Sequence, residues 1–186
     1  MPDRREMMAA GTRVVGAGAG LLVALPLAAC APVGDGPLAG PRVAADDVEL
    51  CVPTTAGEHI YFGEALANGG SDPAVISDVR GTAERAESVD FSIDQEGLSL
   101  DEVLGGGGWP TDEPVGFEAD ALGRAVPVEG VVVDPGAAVT LIAVVEPTSA
   151  TDDAIVDDII VTYTSGDEEY EEHISVAYRV HHGDSC

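Results

Sequence analysis

The chain has no lysine, and its eight basic residues stand against 34 acidic ones, for a formal charge of -26. A nucleic-acid binder must neutralise phosphates with clustered Lys and Arg, so that partner class is excluded. Aromatics are scarce, at four Tyr, three Phe and one Trp. A core must therefore be built from Val, Ile, Leu and Ala. The motifs of common enzyme sites are missing as well: there is no G-x-S-x-G, H-E-x-x-H, C-x-x-C or Walker loop. Nothing implies a catalytic residue, a cofactor or an enzyme.

What is present is a chain of 186 residues with a hydrophobic fraction of 45%, enough for one domain with a core. The Lys-free, Ala-, Gly-, Val- and Asp-rich composition fits codon bias in a GC-rich genome or a surface adapted to high salt. Either way, acidity of this degree concerns solubility and repulsion rather than fold.

The one long apolar run lies at the start. Arg4, Arg5 and Arg13 form a positive region, and Val14 to Ala29 an apolar stretch broken only by Gly and Pro26. The run is shorter than the roughly 20 residues that span a bilayer, and reads as a cleaved export signal. It ends on Leu27, Ala28, Ala29 and Cys30. Those four residues resemble the lipobox of bacterial lipoproteins. The resemblance implies that residues 1–29 are a lipoprotein signal peptide, that Cys30 receives a diacylglyceryl group and becomes the first mature residue, and that the protein sits on the extracytoplasmic face of the cell membrane. An ordinary signal peptide cut at a small-residue site is the alternative. The Arg4–Arg5 pair is also similar to a twin-arginine export signal, so the export route stays open. Two acyl chains hold a protein stably where one holds only marginally. No basic patch assists, since the chain from Cys30 onward carries five arginines and 32 acidic residues, and anionic lipid repels it within a Debye length of about 8–10 Å.

Residues 30–46 then read as the lipidated cysteine and a flexible tether, because Ala31 to Asp46 is rich in Pro and Gly without periodicity. Fully extended, that stretch reaches on the order of 50 Å. Residues 47–186 read as the folded domain. Val48, Leu50 and Val52 alternate with other residues, as do Val89, Phe91 and Ile93, and Ile174, Val176, Tyr178 and Val180. Period-two runs of this kind predict half-buried strands. Further strands are expected at 59–66, 74–80, 125–133, 138–146 and 159–164, with 169–180 as the last. Asn68-Gly69-Gly70, Asp134-Pro135-Gly136 and Ser165-Gly166-Asp167 are turns. No helix is expected beyond a short turn around Leu98 to Leu104, and the loop from Asp94 to Gly123 gives no pattern. About seven or eight strands with Gly/Pro turns predict an all-β fold, an immunoglobulin-like antiparallel β-sandwich, with a closed barrel as the alternative. Trp109 is a candidate cover for one end of the core.

Five pieces resemble a loose group of secreted or lipid-anchored sandwich proteins of actinobacteria: Cys51 on the first strand, Gly108-Trp109-Pro110, Asp134-Pro135-Gly136, the final hairpin VTYTSGDEEY and the terminal Cys186. The resemblance implies a fold and a compartment, and no activity.

With Cys30 assigned to lipid, Cys51 and Cys186 remain as a candidate disulfide, which an exported protein permits. Two free thiols are the alternative, since sequence does not show whether the Cα atoms come close enough. Two clusters carry metal-ligand chemistry. Asp152, Asp153, Asp157 and Asp158 offer hard oxygen ligands for Ca²⁺, but the spacing of a known calcium loop is absent and a solvated acidic loop is preferred. His181, His182, Asp184 and Cys186 offer ligands for Cu or Zn, of which the sulfur is lost if the disulfide forms. No metal residue is assigned. His59 and His173 fall on strands as exposed or hydrogen-bonded histidines. The function expected is a non-catalytic binding or structural accessory domain, held to the bilayer through diacylglyceryl-Cys30 and presenting loops or an edge strand to an envelope protein or polymer. The alternative is an envelope metal-binding protein for Ca or Cu/Zn.

Overall fold

Strands that alternate along one sequence and run continuously apolar along another need two sheets with different outer faces, and that is what forms. A computed structural model describes residues 36–40, 48–54, 59–96, 104–109 and 117–186. The expected lipobox residues Leu27, Ala28, Ala29 and Cys30 lie outside them.

The first sheet contains β1 (Leu38–Ala39), β3 (His59–Asn68), β5 (Ala86–Asp94), β6 (Leu104–Trp109), β7 (Val126–Pro127) and β9 (Ala138–Pro147), ordered β1-β3-β9-β5-β7 with β6 also on β3. The second contains β2 (Val48–Thr54), β4 (Ala74–Glu84), β8 (Val132–Val133), β10 (Ala154–Ser165), β11 (Glu168–Ile174) and β12 (Val176–His182), ordered β2-β12-β10-β4-β8 with β11 also on β10. The two sheets share one core, so the molecule is the expected β-sandwich. Inside it the Phe62 and Tyr178 rings stack across the sheets with centroids 4.6 Å apart.

The strand count exceeds the expected seven or eight because several additional strands are short. β1, β7 and β8 have two residues each. The single strand expected over 125–133 divides into β7 and β8 around Gly130, whose φ of 80° breaks the extended backbone. β11 and β12 are one expected strand broken at Ser175. One ladder departs from the antiparallel expectation: β2 runs parallel to β12, with Val48 opposite Val176 and Thr54 opposite His182.

The burial patterns explain the two kinds of strand. On β3, Ile60, Phe62 and Leu66 point into the core, while Tyr61 on the other face packs with Ile142, Ala121 and Leu122. Ala121 and Leu122 belong to a helix, α1 (Phe117–Arg124), which the sequence reading did not expect. Because α1 covers the outer face of the first sheet, β3 and β9 are buried on both sides and lose the polar alternation. On β4 and β10 of the second sheet, buried residues alternate with exposed or half-exposed ones, as strands with one solvated face do.

Arg124, in the last turn of α1, fixes the helix in place. Its Nε and an Nη donate to the two Asp94 oxygens at 3.0 and 2.7 Å. Asp94 is only 1% exposed and also accepts from Glu96 N–H at 3.2 Å, so the fork supplies the cation that a buried carboxylate needs.

The chain changes sheet at Arg85, which has a φ of 56° between β4 and β5. Its carbonyl accepts from both the N–H and the hydroxyl of Thr148, each at 2.9 Å, where β9 leaves the first sheet for β10. The two crossovers therefore brace one another.

Candidate functional site

Two ends and one buried position concentrate the polar chemistry. At the first end, Asn68 is 1% exposed and fully satisfied. Its amide donates to the carbonyls of Asp72 and Val133 at 2.9 and 2.8 Å, and its side-chain oxygen accepts from Gly70 N–H at 2.9 Å. These bonds fold the Asn68-Gly69-Gly70 turn back over the sheets.

The expected tether is part of this end. Gly36 to Gly40 runs along the edge of the first sheet, against the second: β1 pairs with the last residues of β3, Leu38 is fully buried, and Pro37 C=O accepts from Gly69 N–H at 2.8 Å. From the opposite sheet, the Tyr163 hydroxyl accepts from Leu38 N–H at 3.1 Å and a Glu172 oxygen accepts from Gly40 N–H at 3.0 Å. A β-carbon on Gly36 would overlap the Tyr163 hydroxyl, and one on Gly40 would come within 2.8 Å of Ile174. The glycines allow the chain to enter where no side chain fits. Residues 36–40, expected as part of the tether, thus belong to the folded part. Beside the segment opens a cavity of about 540 Å³, lined by Pro37, Ser71, Asp72, Asp167, Glu168 and Tyr170 among others, with no basic residue.

The opposite end carries the disulfide and an ion-pair cluster. Cys51 on β2 is bonded to Cys186, with Cα atoms 6.0 Å apart. Nearby, Asp153 sits against Nδ1 of His181 at 3.0 Å, accepts from His182 N–H at 3.2 Å and faces Arg179 at 3.5 Å. The His181 contact, then the backbone bond and Arg179, hold the Asp153 carboxyl below the usual range. Arg179 also pairs with Glu49 on β2 at 2.9 Å.

The third feature is inside. Glu64 continues the inward phase of Ile60, Phe62 and Leu66 and is 2% exposed. Neither carboxyl oxygen has a partner with full hydrogen-bond geometry. The Tyr178 hydroxyl acts on it without reaching that geometry. Burial pushes the Glu64 carboxyl up to about 7, with Tyr178 opposing, and the same burial and the carboxyl raise Tyr178.

The sequence-selected residues distribute as follows. Cys51 and Cys186 meet. Asp152 to Asp158 is no single acidic loop: Asp157 and Asp158 lie in β10, where Asp158 takes a φ of 47° at a bulge opposite β4. His181, His182, Asp184 and Cys186 do not assemble as ligands, because the sulfur is bridged and His181 is turned to Asp153. No three His, Cys, Asp or Glu side chains converge in metal-binding fashion among the described residues. His59 pairs with Glu146 at 3.3 Å and His173 lies 3.9 Å from Glu171. The Trp109 backbone pairs with His59 at the edge of the first sheet, and its side chain lies outside the described residues. A shallower cavity of about 410 Å³ on the second sheet is lined by Arg80, Thr82, Asp158 and His173, with Arg80 already donating to Glu171 at 2.6 Å.

The sequence reading missed Glu64, Arg124–Asp94 and Gly36–Gly40. Glu64 carried a readable signal, a carboxyl in phase with the inward residues of a strand. Among the described residues no helix is long and apolar enough to cross a membrane.

No known family model matches the chain, and no curated protein does. Among solved structures, CfaE, the adhesive subunit of CFA/I fimbria of enterotoxigenic Escherichia coli, aligns over 80% of this chain and 50% of that one at 12% identity, with a TM-score of 0.35. The chain spans about half the length of that protein, and a likeness this distant carries no argument about function.

Proposed function

We propose that the protein is a lipid-anchored, extracytoplasmic lipoprotein whose β-sandwich is a non-catalytic binding or structural accessory domain at the cell envelope. The reading rests on the disposition of three cysteines: Cys51 and Cys186 are consumed by each other, and Cys30 is left directly behind an apolar run and the residues Leu27, Ala28 and Ala29. A disulfide suits an oxidising compartment, which agrees with export. The polar clusters support a non-catalytic role, since Asp153, Asp94 and Arg80 are spent on pairing within the fold and place no nucleophile beside a base.

The test is expression of the full chain with its own signal in a bacterial host, followed by detergent phase partitioning and mass analysis of the mature N-terminus. The expected result is a membrane-partitioning protein that begins at acylated Cys30, with Cys30→Ser moving it to the aqueous phase. Wild-type protein wholly in the aqueous phase, unchanged by Cys30→Ser, overturns the reading.

A further inference from the structure

We infer that the sandwich is held with its Gly36 end toward the bilayer, so that the Arg85 crossover, the Asp153–His181 cluster and the Cys51–Cys186 bridge face outward. The inference rests on the lipid-anchor reading and adds the orientation.

The geometry carries it. A tether running to Asp46 would let the domain stand tens of ångströms away and rotate freely. Instead the segment from Gly36 is locked into the fold by the pairing of Leu38 and Ala39 with Asn68 and Ala67, by burial of Leu38, and by the bonds from Tyr163 and Glu172. Only five residues, 31–35, separate Cys30 from Gly36. Their covalent reach is about 20 Å. The sandwich is longer than that: β10 has twelve residues and runs from one end to the other, which is about 40 Å of strand. An attachment at one end, through a link half as long as the body, keeps that end near the lipid. The bilayer excludes the opposite end by volume alone.

The test uses the native lipoprotein, purified in detergent and reconstituted into vesicles of phosphatidylcholine with a fraction of phosphatidylglycerol. A donor dye is placed on an introduced cysteine at either end, Asp167→Cys beside the Gly36 cavity or Ala150→Cys at the far crossover, and acceptor dyes are carried by lipid headgroups. Both positions are exposed. Energy transfer is expected to be severalfold greater from position 167 than from position 150. A ten-residue Gly/Ser insert between Asp35 and Gly36 is expected to reduce that ratio toward one. Equal transfer from both ends without the insert, or a ratio the insert leaves unchanged, overturns the orientation while leaving the anchor intact. Failure of the unlabelled protein to float with the vesicles overturns the anchor itself, and the orientation with it.

Discussion

The Tyr163 hydroxyl accepts the Leu38 N–H at 3.1 Å, across 125 residues of sequence and across the gap between the two sheets. That hydroxyl is one of the groups that hold residues 36–40 in place, beside the pairing with β3 and the Glu172 bond. Tyr163→Phe leaves the buried Leu38 donor without its acceptor, at a cost of about 1–3 kcal/mol. The expected outcome is a lower urea midpoint and faster hydrogen exchange at Leu38, with the β10–β11 hairpin retained.

Gly36→Ala is expected to act more strongly than Tyr163→Phe, because its methyl group overlaps the same hydroxyl and the segment cannot stay in place. Releasing Leu38 from the core forfeits burial of a full leucine, on the order of 2–3 kcal/mol. Limited proteolysis provides the readout. Cleavage within residues 36–40 should appear in Gly36→Ala and be absent from the wild type.

Glu64 makes stability fall with rising pH. Its folded pKa of about 7 exceeds the unfolded 4.5, so the native state holds a proton that the unfolded chain gives up. The stabilisation is complete below 4.5 and is lost as pH climbs through 7, amounting to about 3 kcal/mol over that window. Glu64→Gln should flatten the dependence of the urea midpoint on pH between 5 and 8. Asp153 acts with the opposite sign in a lower window: its depressed carboxyl stabilises the fold above the usual aspartate value, and that contribution is lost as pH falls further. A wild-type midpoint that does not change from pH 5 to 8 would contradict the assignment of Glu64.

Reduction of Cys51–Cys186 should destabilise the domain by about 4–5 kcal/mol in a chain-entropy account, given a separation of 135 residues. The measurement is urea unfolding with and without reductant, alongside the Cys51→Ser, Cys186→Ser double variant. Alkylation of the non-reduced native protein should find neither thiol.

Arg124→Ala removes the charged partner of the buried Asp94 carboxylate, and α1 is expected to detach from Tyr61 and Ile142. Hydrogen exchange at Ala121 and Leu122 should rise well before that of β9. Arg124→Lys should restore only part of the protection, because an ammonium does not reproduce the two-point fork.

The strands were legible where packing imposes a simple period. Val176, Tyr178 and Val180 alternate because one face of β12 meets the core and the other does not, and the Gly166 turn is written in a residue that takes a φ of 61°. β6 was hidden because its run of four glycines has no side-chain pattern, while its ladder to β3 needs only backbone groups. α1 was hidden by its length: eight residues are barely two turns, and their helicity comes from docking rather than from propensity. Gly36–Gly40 contains one large apolar residue, Leu38, and one such residue makes no period. Its place depends on Tyr163 and Glu172, more than 120 residues away. The Cys51–Cys186 pair was legible from parity, whereas the Asp153–His181 contact arises only once β10 and β12 are paired.

The parallel ladder between β2 and β12 sets a schedule. Ribosomes deliver Val48 128 residues before Val176, so β2 must wait without that partner until β12 emerges. Whatever guards that waiting strand, and whichever oxidant closes the bridge from Cys51 to Cys186, can finish only after β12 and the segment behind it have emerged.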